Sequence, residues 1–473
     1  MGETQQSASQ LAMDEFLNHA EGFKEPRIAV DDPNLPTLPG LKAMAQSRKT
    51  RGFQTLDQSA GDIAEVGAPL NYDFRKWKDE VRDSIKDDKG NKVFPHVEGE
   101  VFGYEANYRQ QYPVVLEELA KSWGLKETPF KGIQTVSGRN AIDCALRGLK
   151  SRKKNYYEDR DAIIMDPMAW SGYGPLAEGL DVKIIHAPAV KGHGLSLSAD
   201  GLSEAIEFAS KKGFRIIGAV PIVPSNPTGE SMSHEDLRNI ILDGAKNDVP
   251  IMADAFYSPL HKEGHRAAVD LGDLEDNLPP EVLAYFGILV GETKVLSSQQ
   301  KTGSMLWLAP EGHDKIATHM YKTGMKRLLD TNTYPRPNEA LAAYALHTFT
   351  GGIHAAMGPR YEKLDEARVE MRRAMDELGL PFTIGDSFYG VAALTDPKTG
   401  EGLLKDQLGR PLTRPNDVAN RLAEEYGLVG APGAMFSPAP EAGQMVRLTA
   451  AVTVENVRKL QEVIGRMISD ASK

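Results

Sequence analysis

Cys144 is the single cysteine in 473 residues, so the chain cannot close an internal disulfide and is expected in a reducing compartment. It stands in the apolar stretch AIDCAL and reads as a small buried hydrophobe. No extended block of Lys or Arg interrupts a formal net charge of −11, so the electrostatic footprint of a nucleic-acid binder is missing. Uninterrupted apolar runs stay well short of the roughly 20 residues that span a bilayer, which excludes a membrane-spanning helix. The opening MGETQQSASQ lacks a basic start followed by an apolar core, so no signal peptide is read there. Internal repeats and low-complexity tracts are also missing. These absences point to a cytoplasmic protein acting on small molecules, with no nucleic acid or membrane among its partners.

What the chain does contain is ample apolar material, 41% of residues, over a length that exceeds one compact domain. Residues 1–100 are rich in Pro, Gly and charge (DDPNLPTLPG, KDDKGNK) and show no long periodic segment; they read as an N-terminal arm with part of a small domain. From about residue 130 apolar runs alternate with amphipathic stretches: GIQTVSG, DAIIMDP, DVKIIHAP, FRIIGAVPIV, VPIMADAFY and YFGILVGET. Such alternation implies βα units around a largely parallel sheet, an α/β fold occupying 101–325. Ala141, Ile142, Ala145 and Leu146 mark one helix on that sheet, and the S-H-E-D start at Ser233 caps another. Beyond 325 the long amphipathic RYEKLDEARVEMRRAMDEL and the short strands FYGVAAL and MVRLTAA predict an α+β small domain over 326–473.

The chemistry gathers at strand ends. PSNPTG (224–229) follows FRIIGAVPIV and places Asn226 where α/β sheets open toward ligands. The next strand, VPIMADAFY, ends in Asp254 and Tyr257, a carboxylate able to keep a heteroaromatic nitrogen protonated and a phenol able to bond a neighbouring oxygen. Upstream, IQTVSGRNA is a small-residue turn opening a helix, whose free N–H groups suit a phosphate. Trp170 in DPMAWSGYG is followed by Ser171, Gly172 and Gly174, which leave room for a flat ligand.

Taken together, these motifs resemble the fold-type I pyridoxal-phosphate enzymes, specifically the class I and II aminotransferases of the aspartate aminotransferase superfamily, over residues 100–470. The resemblance implies a large domain with a mostly parallel seven-stranded sheet, a smaller α+β domain, and pyridoxal 5′-phosphate as cofactor. It assigns Ser137, Gly138 and Arg139 to the phosphate cup and Trp170 to stacking on the pyridine ring. Asn226 and Tyr257 fall to the ring's O3′, and Asp254 to its nitrogen. Lys294, directly after YFGILVGET, matches the lysine that carries the cofactor as a Schiff base. Lys301 is the other candidate, and otherwise falls near a phosphate-binding position. Gly291 and Glu292 depart from the family's S-x-S-K pattern, and no Arg follows the lysine. Arg447 in MVRLTAA matches the residue that binds a substrate α-carboxylate. The resemblance further implies a homodimer in which a tyrosine of GYEANYRQQYP, Tyr104 ahead of Tyr108, reaches the partner's phosphate.

The reaction so implied moves an amino group between an amino acid and a 2-oxo acid, with Lys294 as the catalytic base. A lyase, decarboxylase or cyclase on the same fold is the competing enzymatic reading. A non-catalytic binding domain is a third, disfavoured by the retained lysine. The stretch KRLLDTNTYPRPNEA has Asp330 or Thr331 where dicarboxylate-specific members carry an Arg, with Arg327 and Arg336 close by, so the resemblance speaks against a distal carboxylate on the substrate and leaves a neutral, aromatic or cationic side chain open.

Overall fold

A computed structural model describes residues 7–29, 35–59, 62–86, 90, 92–94, 104–152, 160–260, 269–296, 302–331, 333–396, 401–406 and 408–471, the side chains of 104–112 and 337–338 excepted. Thirteen strands are described: β1 (Arg27–Ile28), β2 (Leu56–Gln58), β3 (Phe130–Thr135), β4 (Arg160–Met165), β5 (Val182–His186), β6 (Phe214–Val220), β7 (Ile251–Asp254), β8 (Phe286–Val290), β9 (Gly303–Leu308), β10 (Phe382–Ile384), β11 (Tyr389–Ala393), β12 (Leu428–Pro432) and β13 (Met445–Thr449).

The large sheet runs β1-β5-β4-β6-β7-β8-β9-β3. Strands β3 to β8 point the same way, while β9 and β1 run against them. The family resemblance implied seven strands; the eighth is β1, two residues of the N-terminal region that pair with the exposed edge of β5 through Arg27 and Ile28. Strand β8, FGILV, is buried along its whole length, as a strand covered on both faces must be. Because six strands are parallel, their carboxyl ends share one rim, and the antiparallel β9 begins at that same rim.

The second sheet runs β10-β11-β13-β12-β2. Its edge strand β2 comes from the N-terminal region and lies parallel to β12, pairing Leu56 with Leu428 and Gln58 with Gly430. The N-terminal region is more regular than its composition suggests, with helices at Ala8–His19, Leu38–Thr50 and Tyr72–Ser84. Their buried faces are sparse and partly polar: Ser9 and Met13 in the first, Leu41, Ala45 and Arg48 in the second. A stripe that mixes in a serine and an arginine leaves no clear 3.6-residue apolar period.

Elsewhere the helices follow their caps. Ser233 Oγ accepts the Asp236 N–H at 3.0 Å and starts the helix His234–Lys246, which buries Leu237, Ile240 and Ile241. Cys144 is buried in the helix Gly138–Arg152, where loss of hydration pushes its thiol up to about 12. Among the described residues no helix is long and apolar enough to cross a membrane, and no cluster of His, Cys, Asp and Glu could hold a metal.

Candidate active site

The parallel rim carries the chemistry. Ser137 follows β3 by two residues, Trp170 follows β4 by five, Asn226 follows β6 by six, Asp254 ends β7, and Lys294 follows β8 by four. Arg447 arrives from the other sheet, in the middle of β13.

The deepest part is a chain of hydrogen bonds linking the two sheets. Arg447 donates from one terminal nitrogen to Asn226 Oδ1 at 2.9 Å and from the other to the Ser59 carbonyl at 2.5 Å. Arginine has no acceptor, so its partner on Asn226 must be the amide oxygen. That fixes the amide's orientation and sends Nδ2 to the Tyr257 hydroxyl at 3.1 Å. The Arg447 guanidinium is fully buried, 4.0 Å from the Tyr389 ring centre and 5.0 Å from that of Phe436. Its Nε has no hydrogen-bond partner among the described residues. A buried donor left unmatched costs about 1–3 kcal/mol, and more where the group is charged, which an anionic ligand would recover. Burial, then the neighbouring Tyr389, raise the Tyr257 phenol well above its ordinary value, against the pull of Arg447, so it is a neutral hydroxyl.

Asp254 is almost wholly buried, and burial lifts its carboxyl to about 6. Three features resist that rise: the Tyr173 hydroxyl, which donates to Oδ2 at 2.8 Å, the Phe256 N–H, and the positive charge of Lys294. Tyr173 is itself raised well above its ordinary value, by burial first and by Asp254 second, and serves as a fixed donor. Lys294 Nζ lies 5.6 Å from the Tyr257 ring centre. The amine thus stands with the carboxylate and phenol of the neighbouring strand.

Ser137 caps the helix Gly138–Arg152: its hydroxyl accepts the Asn140 N–H at 3.3 Å and its carbonyl the Ala141 N–H at 3.1 Å. The N–H groups of Gly138 and Arg139 are left without an intrahelical acceptor, at the positive end of a 15-residue helix. Gly303, at the start of β9, closes this cup; a Cβ there would lie 2.5 Å from the Ser137 carbonyl and 2.6 Å from the Gly138 nitrogen. The Arg139 side chain is exposed, with its guanidinium 5.5 Å from the Trp170 ring centre. Trp170 meets Tyr173 edge-on at 5.9 Å.

Ser137, Gly138, Arg139, Trp170, Asn226, Asp254, Tyr257, Lys294 and Arg447 therefore line one region. Lys301 lies outside the described residues. Tyr104 opens the helix Tyr104–Ser122, but its side chain is outside them too. Two contributors escaped the sequence reading. Tyr173 lies in DPMAWSGYG, three residues after Trp170, a spacing that by itself signals packing rather than a bond to Asp254. Ser59 acts through its backbone carbonyl, for which side-chain patterns hold no signal.

Residues 102–464 match the family "Aminotransferase class I and II", and the chain belongs to that family. Members of the family are pyridoxal-phosphate-dependent. Similar solved structures include a double mutant of Thermus thermophilus aspartate aminotransferase, 18% identical, with 93% of this chain and 97% of that chain covered at a TM-score of 0.65. An archaeal alanine:glyoxylate aminotransferase is 18% identical, with 92% and 95% covered and a TM-score of 0.66. An aminotransferase from Mycobacterium tuberculosis is 16% identical, with 93% and 99% covered and a TM-score of 0.67. At these identities the likeness establishes the fold, which is fold type I. Among curated proteins none matches the sequence.

Proposed function

We propose that the protein is a pyridoxal-phosphate-dependent aminotransferase moving an amino group between an amino acid and a 2-oxo acid. The observation that carries this reading is the convergence, at one rim, of a lysine amine, a buried carboxylate and a buried arginine with an unmatched donor. The residues present fit the cofactor. The cup at Ser137, Gly138 and Arg139 offers N–H groups and a guanidinium to its phosphate, Trp170 a face to its ring, Asn226 and Tyr257 two donors to its ring oxygen, and Lys294 an amine to its aldehyde. When bound, the cofactor supplies an electron sink for the bond broken at the substrate's Cα.

The chain's own residues do the rest. Arg447 binds the substrate carboxylate through the donor it cannot otherwise use, and so orients Cα toward Lys294. Lys294 Nζ, with its amine free, would take the Cα proton. Asp254 holds a proton at the ring nitrogen, and Tyr173 keeps that carboxylate ionised and aimed. The same reading makes the protein a cytoplasmic homodimer with Tyr104 reaching across to the partner's phosphate; a fully active monomer by light scattering would contradict that part.

The direct test is to supply cofactor and screen amino donors against 2-oxoglutarate and pyruvate. Appearance of a new amino acid with stoichiometric 2-oxo acid supports transfer. Release of CO₂, or of free pyruvate and ammonia without an acceptor, would move the protein to the decarboxylase or lyase reading.

A further inference from the structure

The segment VGETKV carries a glutamate two residues before Lys294, and none of the roles above uses it. Its side chain is 3% exposed. The carboxylate accepts the Thr302 hydroxyl and lies 3.2 Å from His347 Nε2. The His347 side chain is equally buried, and its Nδ1 is 2.9 Å from Ser122 Oγ at the end of the helix Tyr104–Ser122. The backbone of Glu292 acts as well. Its carbonyl accepts the N–H of Val295 at 3.1 Å and of Leu296 at 2.8 Å, and these two bonds fold the turn that presents Lys294.

Lys294 therefore hangs on a turn whose anchor is Glu292, while the Glu292 side chain grips Thr302, the residue just ahead of β9. The two ends of the lysine loop are already in contact there: a Cβ on Gly291 would fall 2.6 Å from the Thr302 carbonyl. Through His347 the same carboxylate fastens the loop to the helix Pro337–His347 and onward to Ser122. Burial alone would raise the carboxyl, but the bonds from His347 and Thr302 outweigh it and hold the group below its ordinary value, as a carboxylate. A buried carboxylate with both oxygens engaged is a costly way to fill space, since apolar groups of similar volume often stabilise as well or better.

We propose that Glu292 is a positioning residue for Lys294, stapling the ends of the lysine loop through Thr302 and fastening it to the helix Pro337–His347 through His347. This rests on the reading that Lys294 is the cofactor lysine. Misplacing a reacting amine by about 1 Å costs up to about 10²-fold in rate. Loss of the staple should thus act on the rate at which Lys294 captures the cofactor and on kcat, more than on substrate affinity.

The test compares wild type with Glu292→Ala, Glu292→Gln and Thr302→Val, each first checked for folding by thermal melting without cofactor. Pyridoxal phosphate is added, samples are quenched with borohydride at intervals, and the label on Lys294 is quantified by peptide mapping. Glu292→Ala is expected to slow labelling and lower kcat by about 10- to 100-fold with KM within about threefold. Glu292→Gln keeps the shape and an acceptor for Thr302, and should recover most of the labelling rate. Thr302→Val removes one hydroxyl from a protein of nearly unchanged volume, and should slow labelling several-fold even if Glu292→Ala does not fold. Wild-type labelling rates in Thr302→Val, or in a folded Glu292→Ala, would overturn the proposal. Wild type that takes no label at Lys294 would instead overturn the functional reading beneath it.

Discussion

Asp254 is where the candidate site costs the fold most visibly. Its carboxyl stands at about 6 in the folded chain, above its ordinary value of 3.8. A group raised in this way contributes its stability below the ordinary value and loses it as pH rises through the folded one. The cofactor-free protein should therefore lose roughly 3 kcal/mol between about pH 4 and pH 6 from this residue. Asp254→Asn removes that loss, so the variant should melt at a higher temperature than wild type above pH 6 and show no gain near pH 4. With cofactor, the same change should lower kcat by about 10² to 10³-fold, because the charge proposed to hold a ring proton would be gone. A variant with near-normal turnover would reduce Asp254 to a strand terminus. The common placement of Asp254, Tyr257, Asn226 and Lys294 at the strand ends was legible because each ends or closely follows an apolar run. Tyr173 was not, since an aromatic one helical turn after Trp170 reads as packing until its hydroxyl is seen on Asp254.

At the scale of elements, the site depends on where strands end and helices begin. Gly303→Ala forces a methyl into the Ser137 carbonyl and Gly138 nitrogen, so the cup must widen. Its cofactor dissociation constant is expected to rise by at least about tenfold, as measured by equilibrium dialysis, with turnover at saturation changed far less. Ser233→Ala supplies the contrast. It removes the cap of His234–Lys246 and should cost about 1 kcal/mol in a denaturant melt while leaving kcat and KM as they were. The helix caps and the βα alternation were readable because they are local, set by residues three or four apart. Strand β1 and the N-terminal helices were not, because two residues on a sheet edge and a buried stripe containing Ser9 and Arg48 carry no period of their own. The partners of Glu292 were equally invisible, His347 being 55 residues away and brought near only by the fold.

Across the whole molecule, Arg447 joins the two sheets: it belongs to β13 yet donates to Asn226 beyond β6 and to Ser59 beyond β2. Arg447→Lys keeps a charge but loses the planar fork and its spare donor. The KM for the amino donor should rise by roughly 10- to 100-fold, the worth of a charge-assisted hydrogen bond, with a smaller change in kcat. An unchanged KM would mean that the guanidinium only braces the two sheets. The proposed chemistry turns on Lys294. Wild-type protein incubated with pyridoxal phosphate, reduced with borohydride and digested should yield one labelled peptide, with the label on Lys294 and blocked by prior addition of a good amino donor. Label on Lys301, or on no single lysine, would rule out Lys294 as the residue that carries the cofactor.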